Sequence, residues 1–204
     1  MPYICLKTKI MVRILYVIAI TFLLSVFTVE NAKAQAFSKG DFKLSVGLTG
    51  GNFYNFNSAG LKNKHRFVNT GGVSVQGEWG IHEYVGMGFF TGIQGGSVYW
   101  GDSDNNYKNR GVLSIPIGMN ANFHFYQLIS DKSSKNIHAD KLDVYAGLSL
   151  GTGLSVVPGD GRVNGIFYVG PHVGARFFFN PNFGVYLELG YGQAYANAGL
   201  VFQL

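Results

Sequence analysis

Residues 112–125 read VLSIPIGMNANFHF. From Leu113 onward every second residue is apolar: Leu113, Ile115, Ile117, Met119, Ala121, Phe123 and Phe125. Between them stand Ser114, Pro116, Gly118, Asn120, Asn122 and His124. A period of two belongs to a β-strand whose faces meet different surroundings. At roughly 3.3 Å per residue the stretch extends about 46 Å, well beyond the usual strand of about 5–6 residues.

The pattern recurs along the chain in FKLSVGLTG (42–50), VSVQGEW (73–79), VGMGFFTGIQGG (85–96), LDVYAGLSLGTGLSV (142–156), FYVGPHVGARF (167–177), VYLELGY (185–191) and NAGLVFQL (197–204). That makes eight strands, and no helical period is read after the N-terminal apolar run. The connections alternate in kind. Those near 51–70, 97–111, 157–165 and 192–196 are rich in Asn, Asp, Gly, Lys and Ser, as solvated loops are. Those near 80–84 and 178–184 are tight, with Gly80 and Asn180-Pro181-Asn182 as turn residues. The connection 127–141, QLISDKSSKNIHADK, is long and polar and fits neither kind.

Composition narrows the class. Charged residues make up 13% of the 204 residues, about half the share of a soluble domain, while 29 are Gly and 15% are aromatic. At the N-terminus Lys7, Lys9 and Arg13 precede an apolar run (14–29) and then Ala32-Lys33-Ala34. These flanks predict a secretory signal peptide over 1–34, cut after Ala34, with Met11 as an alternative start. The run is shorter than the roughly 20 residues that a membrane-spanning helix needs. The predicted mature chain, 35–204, is one domain. The sole cysteine, Cys5, precedes the cut, so no disulfide, thiolate or Cys-ligated metal is expected. Residues 1–34 carry +3 of the formal +5, leaving +2 and no basic stripe. Nucleic acid is therefore not an expected partner.

Alternation fits two barrels: a soluble one with apolar residues inside, and a membrane one with apolar residues outside. The second face decides. It is mostly Gly, Ser, Asn, Gln and Tyr, with only Lys43, Glu78, Asp143, Arg176 and Glu188 charged. A soluble exterior needs far more charge, whereas a narrow lumen suits small residues and a few paired ions. Aromatics gather near strand ends (Trp79, Tyr84, Tyr99, Trp100, Phe123, Phe125, Tyr126, Phe177, Phe183 and Tyr191), as interfacial girdles do. The expected fold is an all-β, eight-stranded antiparallel up-and-down transmembrane β-barrel. Closure leaves no unpaired backbone in hydrocarbon, so a closed sheet can span.

Three stretches carry a family resemblance: LSIPIGMNANFHF (113–125), GPHVGARFFFNPNFGVYLELGYG (170–192) and the ending NAGLVFQL (197–204). The chain resembles the eight-stranded outer-membrane β-barrels of the OmpA/OmpX and porin-like type, and the first two stretches especially resemble porin-family barrels of Bacteroidota. The resemblance covers about 40–204. It implies a bacterial outer-membrane location with both termini periplasmic, and outer-membrane lipid and lipopolysaccharide as partners. Such barrels commonly end in an aromatic residue; here Leu204 is last, with Phe202 and Leu200 on the same face.

Eight strands enclose an interior that side chains fill, so no open diffusion pore is expected. Lys43, Glu78, Asp143, His172, Arg176 and Glu188 are the expected lumen polar network, with Arg176 and Glu188 paired within one hairpin, because buried charges persist only when paired. His124 also faces the lumen on this reading. The barrel enzymes that deacylate lipid A use a His-x-Ser arrangement, and none of His65, His82, His124, His138 and His172 has Ser two residues later. No catalytic residue, metal site or cofactor is assigned. Loop 51–70, with Phe53, Tyr54, Phe56, Lys62, Lys64 and Arg66, is the expected surface contact. A structural or surface-interaction barrel is the first functional expectation. The alternatives are an accessory subunit of a larger outer-membrane complex, and a small-solute channel or lipid A-modifying enzyme.

Overall fold

The structure, a computed structural model, describes residues 36–51, 65–101, 107–133, 138–156, 158 and 163–204. The signal segment 1–34 lies outside the described residues. Eight strands follow one another in chain order: β1 (Phe42–Gly50), β2 (His65–His82), β3 (Val85–Gly101), β4 (Tyr107–Phe123), β5 (Leu142–Val156), β6 (Val163–Asn180), β7 (Phe183–Gly190) and β8 (Ala196–Gln203). Each pairs antiparallel with its neighbours, and β1 closes on β8 to complete the barrel.

The wall is apolar outward and polar inward. Along β4, Leu113, Ile115, Ile117, Met119, Ala121 and Phe123 are exposed, while Ser114, Pro116, Asn120 and Asn122 are buried. The same parity holds in β5, where Leu148, Leu150 and Leu154 are exposed and Tyr145, Ser149 and Ser155 buried. A protein in water would bury these leucines at about 1.5–3 kcal/mol each, so an exterior built from them is matched to lipid. No described helix is long and apolar enough to cross a membrane.

The strands differ in height. On one side β7, β8 and β1 have 8, 8 and 9 residues. A strand of nine residues, tilted as such barrels require, rises about 23 Å, close to an apolar band of about 25 Å. On the other side β2, β3, β4 and β6 have 18, 17, 17 and 18 residues. They continue into stretches whose sequence reads as loop: 65–70, 97–101, 107–111 and 163–165 are strand. Val68 pairs with Ser97 and Val98 with Arg110, so the taller wall is a paired sheet.

A second correction concerns the long connection. The sequence carries the alternation to Phe125 and shows no helix, yet β4 ends at Phe123 and α1 (Phe125–Lys132) follows at once. His124, between them, accepts the Leu128 amide at 3.4 Å and donates its own amide to Tyr84. The spacing Phe125, Leu128, Ile129 is that of one helix face.

The N-terminal segment closes the turn end. The Ala36 amide donates to the Ala139 carbonyl at 2.9 Å, and Gly40 and Asp41 exchange backbone bonds with Gly80. This seats Phe37, fully buried, inside the end of the barrel. At the opposite end the β7–β8 connection folds inward. Gln193 donates to the Thr91 carbonyl at 3.2 Å and accepts from Gln94 at 3.1 Å, across the lumen on β3.

Candidate functional site

The polar network expected from parity is a lumenal cluster. Lys43, Glu78, Asp143, His172, Arg176 and Glu188 are all buried, none more than 4% exposed. Each points inward because it shares the parity of the small residues on its strand. Between them the strands are mostly Gly, which leaves room for long side chains. A Cβ on Gly174, for example, would lie 2.7 Å from a ring carbon of Tyr145.

Arg176 is the hub. Its Nη2 donates to Glu78 Oε2 at 2.5 Å and its Nη1 to Asp143 Oδ2 at 3.2 Å. Its guanidinium carbon lies 4.3 Å from the centroid of the Tyr145 ring, a cation–π contact in a buried site. The expected Arg176–Glu188 pair is not what the register produces. Arg176 stands opposite Tyr186 and Glu188 opposite Gly174, so the two point inward at different heights. Arg176 therefore reaches along and across the lumen, to β5 and β2. Glu188 accepts from Tyr145 at 3.2 Å and Asn197 at 3.1 Å, with His172 Nε2 at 3.9 Å.

Sequence reasoning placed His124 in the lumen but did not make it a member of the cluster. Its Nδ1 lies 2.8 Å from Asp143 Oδ1 and its Nε2 2.8 Å from Glu78 Oε1. Both contacts are satisfied when each nitrogen donates. Asn122 adds a donor to Glu78 at 2.7 Å. Phe37 stacks on the His124 ring at 3.4 Å and 10°, with Lys43 Nζ 4.6 Å from its ring centroid. Lys43 itself pairs with Asp41 at 3.2 Å, so it belongs to the N-terminal plug and makes no ion pair with Glu78. Phe37 carries no periodic signal, and only its closeness to the first strand hints at its place.

A hydrogen-bonded chain continues toward the loop end. Asn122 Oδ1 lies 2.8 Å from His172 Nε2, and His172 Nδ1 lies 3.0 Å from Ser149 Oγ. A serine beside a histidine that a third polar group orients has the form of an activated nucleophile. Chemistry needs room for a substrate, and here Ser149 and His172 are both 3% exposed. Gly192 backs onto Ser149, where a Cβ would lie 2.9 Å from its hydroxyl oxygen. Phe90, Ile166 and Tyr168 form an apolar layer within the barrel. The arrangement links β4, β5 and β6 through Asn122, Ser149 and His172.

The expected surface contact is only partly placed. Phe53, Tyr54, Phe56, Lys62 and Lys64 lie outside the described residues, while Arg66 stands in β2 opposite Tyr99.

No family model and no curated protein matches the sequence. Solved structures do match. The outer membrane protein OprG from Pseudomonas aeruginosa superposes with a TM-score of 0.56 at 7% identity, over 85% of this chain and 99% of that one. The N-terminal β-barrel domain of Pseudomonas aeruginosa OprF gives 0.47 at 12% identity, over 82% and 100%. Ail, the attachment invasion locus protein of Yersinia pestis, gives 0.40 at 11% identity, over 81% and 95%. At such identities the likeness to OprG is one of fold. With eight strands closed in sequence order, a lipid-matched exterior and a polar lumen, the chain has the fold of the eight-stranded outer-membrane β-barrels.

Proposed function

We propose that this is an integral outer-membrane barrel with a structural or surface-interaction role and no open diffusion pathway. Both termini and the short turns face the periplasm, and the taller wall of β2–β6 faces outward, carrying the contact loop 51–70. Residues 1–34 are the cleaved signal. One observation carries the reading: Arg176, Glu78, Asp143 and His124 bond to one another across the lumen, above a plug made by Phe37. A solute path would have to break several buried charge-assisted bonds, each worth about 1.5–3 kcal/mol. The pieces that differ most from wall to wall stand outside the apolar band, where a surface role would be exercised.

Two measurements test this. In a planar phospholipid bilayer the pure barrel is expected to give no discrete conductance steps at neutral pH; regular ohmic steps would make it a channel. Tagged protein is then extracted from native outer membrane in mild detergent. Recovery of a lone barrel whose gel migration changes on boiling supports a free-standing barrel. A second outer-membrane protein at fixed ratio would make this chain an accessory subunit, docking by its lipid-facing wall. Lipid A that is unchanged in mass by deletion and by overexpression removes the enzyme alternative.

A further inference from the structure

Helix α1 is amphipathic the wrong way round for a helix that packs on a protein. Taken at 100° per residue, Phe125, Leu128, Ile129 and Lys132 share one face, and Gln127, Ser130 and Asp131 share the other. The polar face meets the barrel at Gln127, while Asp131 beside it is exposed. Gln127 is the buried residue of the helix and donates to Asp131 at 2.8 Å. Gln127 and Asp131 also line a polar cleft of about 360 Å³ with Ser38, Lys39 and Glu83. On the apolar face Ile129 is 52% exposed and Phe125 and Leu128 are half-buried. A helix of a water-soluble face does the opposite and buries its apolar stripe.

What covers that face follows from where the helix begins. Phe123 is the last outward residue of β4 and sits on the lipid-matched wall, 43% exposed. Only His124, which points into the lumen, separates it from α1. The apolar face is thus continuous with a surface already matched to lipid. Lys132, exposed in the last turn, lies within the same arc, where a cationic end on a long stem reaches headgroup phosphates while its methylenes stay in apolar surroundings. We infer that α1 is an interfacial anchor: it lies along the phospholipid leaflet at the turn end of the barrel, its Phe125–Leu128–Ile129 face in the boundary between headgroups and acyl chains. This gives the connection 127–141 a purpose that a turn would not have. Its polar side carries the seal of the barrel end, and its apolar side fixes the depth of that end in the bilayer.

The test uses a spin label. Residues 35–204 hold no cysteine, and single cysteines are introduced by Ile129→Cys, by Leu150→Cys on the mid-wall exterior and by Glu83→Cys in the exposed β2–β3 turn. Each chain of residues 35–204 is folded into phosphatidylethanolamine–phosphatidylglycerol vesicles, and unchanged heat-dependent gel migration certifies the fold. The readout is collision with oxygen, which concentrates in lipid, against a water-soluble nickel chelate. The inference expects the oxygen-to-nickel ratio at position 129 to be several-fold above that at 83 and on the side of that at 150. A ratio at 129 equal to that at 83 would overturn it, since the face would then stand in water and await a protein. Should the label at 129 disturb the helix, a label at the buried Gln127 position would lose its immobilisation too, and Leu128→Cys then supplies the same comparison with the same two outcomes.

Discussion

Replacing Arg176 with Met tests the lumenal cluster most directly. Met keeps an aliphatic stem in the lumen, while the charge and the guanidinium contact with Tyr145 go. Glu78 then loses its Nη2 and Nη1 contacts, at 2.5 and 3.5 Å, and Asp143 loses the one at 3.2 Å. Glu78 retains Asn122 and His124, and Asp143 retains His124. Removing one partner of a buried ion pair costs about 3–5 kcal/mol, because the stranded charge stays desolvated. The surviving donors put the expectation near the lower end, about 3 kcal/mol. That is a large part of a typical stability of about 5–15 kcal/mol. The assay is equilibrium urea unfolding in phospholipid bilayers, followed by the fluorescence of Trp79, which sits half-exposed on the outer wall. Adding Glu78→Gln to Arg176→Met removes one stranded charge. It should recover about 1–2 kcal/mol relative to additivity, within the range seen for groups in one network. A loss under about 1 kcal/mol for Arg176→Met, the size of an ordinary substitution, would refute the argument. So would strict additivity of the pair.

Leu150 stands on the outer face near mid-height of β5, and Leu150→Arg should cost about 2–4 kcal/mol in bilayers, as charges on a lipid face do. An equal cost for Leu150→Ala would say that packing, and not lipid, decides. Gly174→Ala places a methyl against the Tyr145 ring, and such overpacking costs about 1–3 kcal/mol; unchanged urea midpoints would show that the ring has room to move. Tyr84, in the β2–β3 turn, has its hydroxyl pushed above the usual phenol range by its hydrogen bond to Asp131 on α1. A group raised in the fold stabilises below its unfolded value and loses that contribution as pH rises through the folded one. The protection factors of the α1 amides, which remove the intrinsic base catalysis of exchange, should therefore fall at alkaline pH, and Tyr84→Phe should abolish that fall without changing the barrel.

The wall was readable wherever the two faces meet different media. Ser114 beside Ile115, or Ser149 beside Leu150, reports one residue in the lumen and the next on lipid, and the parity of all six expected lumen residues follows from that. Above the apolar band the contrast between the two sides fades, and HRFVNT (65–70) or GSVYWG (96–101) reads as loop although the backbone remains paired. Helix α1 was hidden for another reason: Phe125 prolongs the period-two run of β4 by chance, and Leu128 and Ile129 then look like loop residues. Partner choice inside the lumen was beyond the pattern. Parity says that Arg176 points inward, but its meeting with Glu78 depends on how far strands β2 and β6 are staggered around the closed wall, which no single stretch encodes.

The junction of β1 with β8 sets how such a chain must mature. Every other pairing joins strands adjacent in sequence, through turns as short as Glu83–Tyr84 and Pro181–Asn182. The junction instead matches Lys43 with Gln203 and ends after eight residue pairs. Its closure entropy exceeds that of a four-residue turn by about 3 kcal/mol, on the logarithmic dependence of loop closure on length. Seven hairpin contacts can thus zip as a curved sheet while the zipper's two ends remain free. Both free ends are among the shortest strands in the molecule, which keeps to a minimum the number of peptide groups that wait for a partner. In hydrocarbon each waiting group costs several kilocalories, so the sheet cannot enter first and close later. Insertion and closure are therefore expected as one event, in which the first strand of the barrel meets the last.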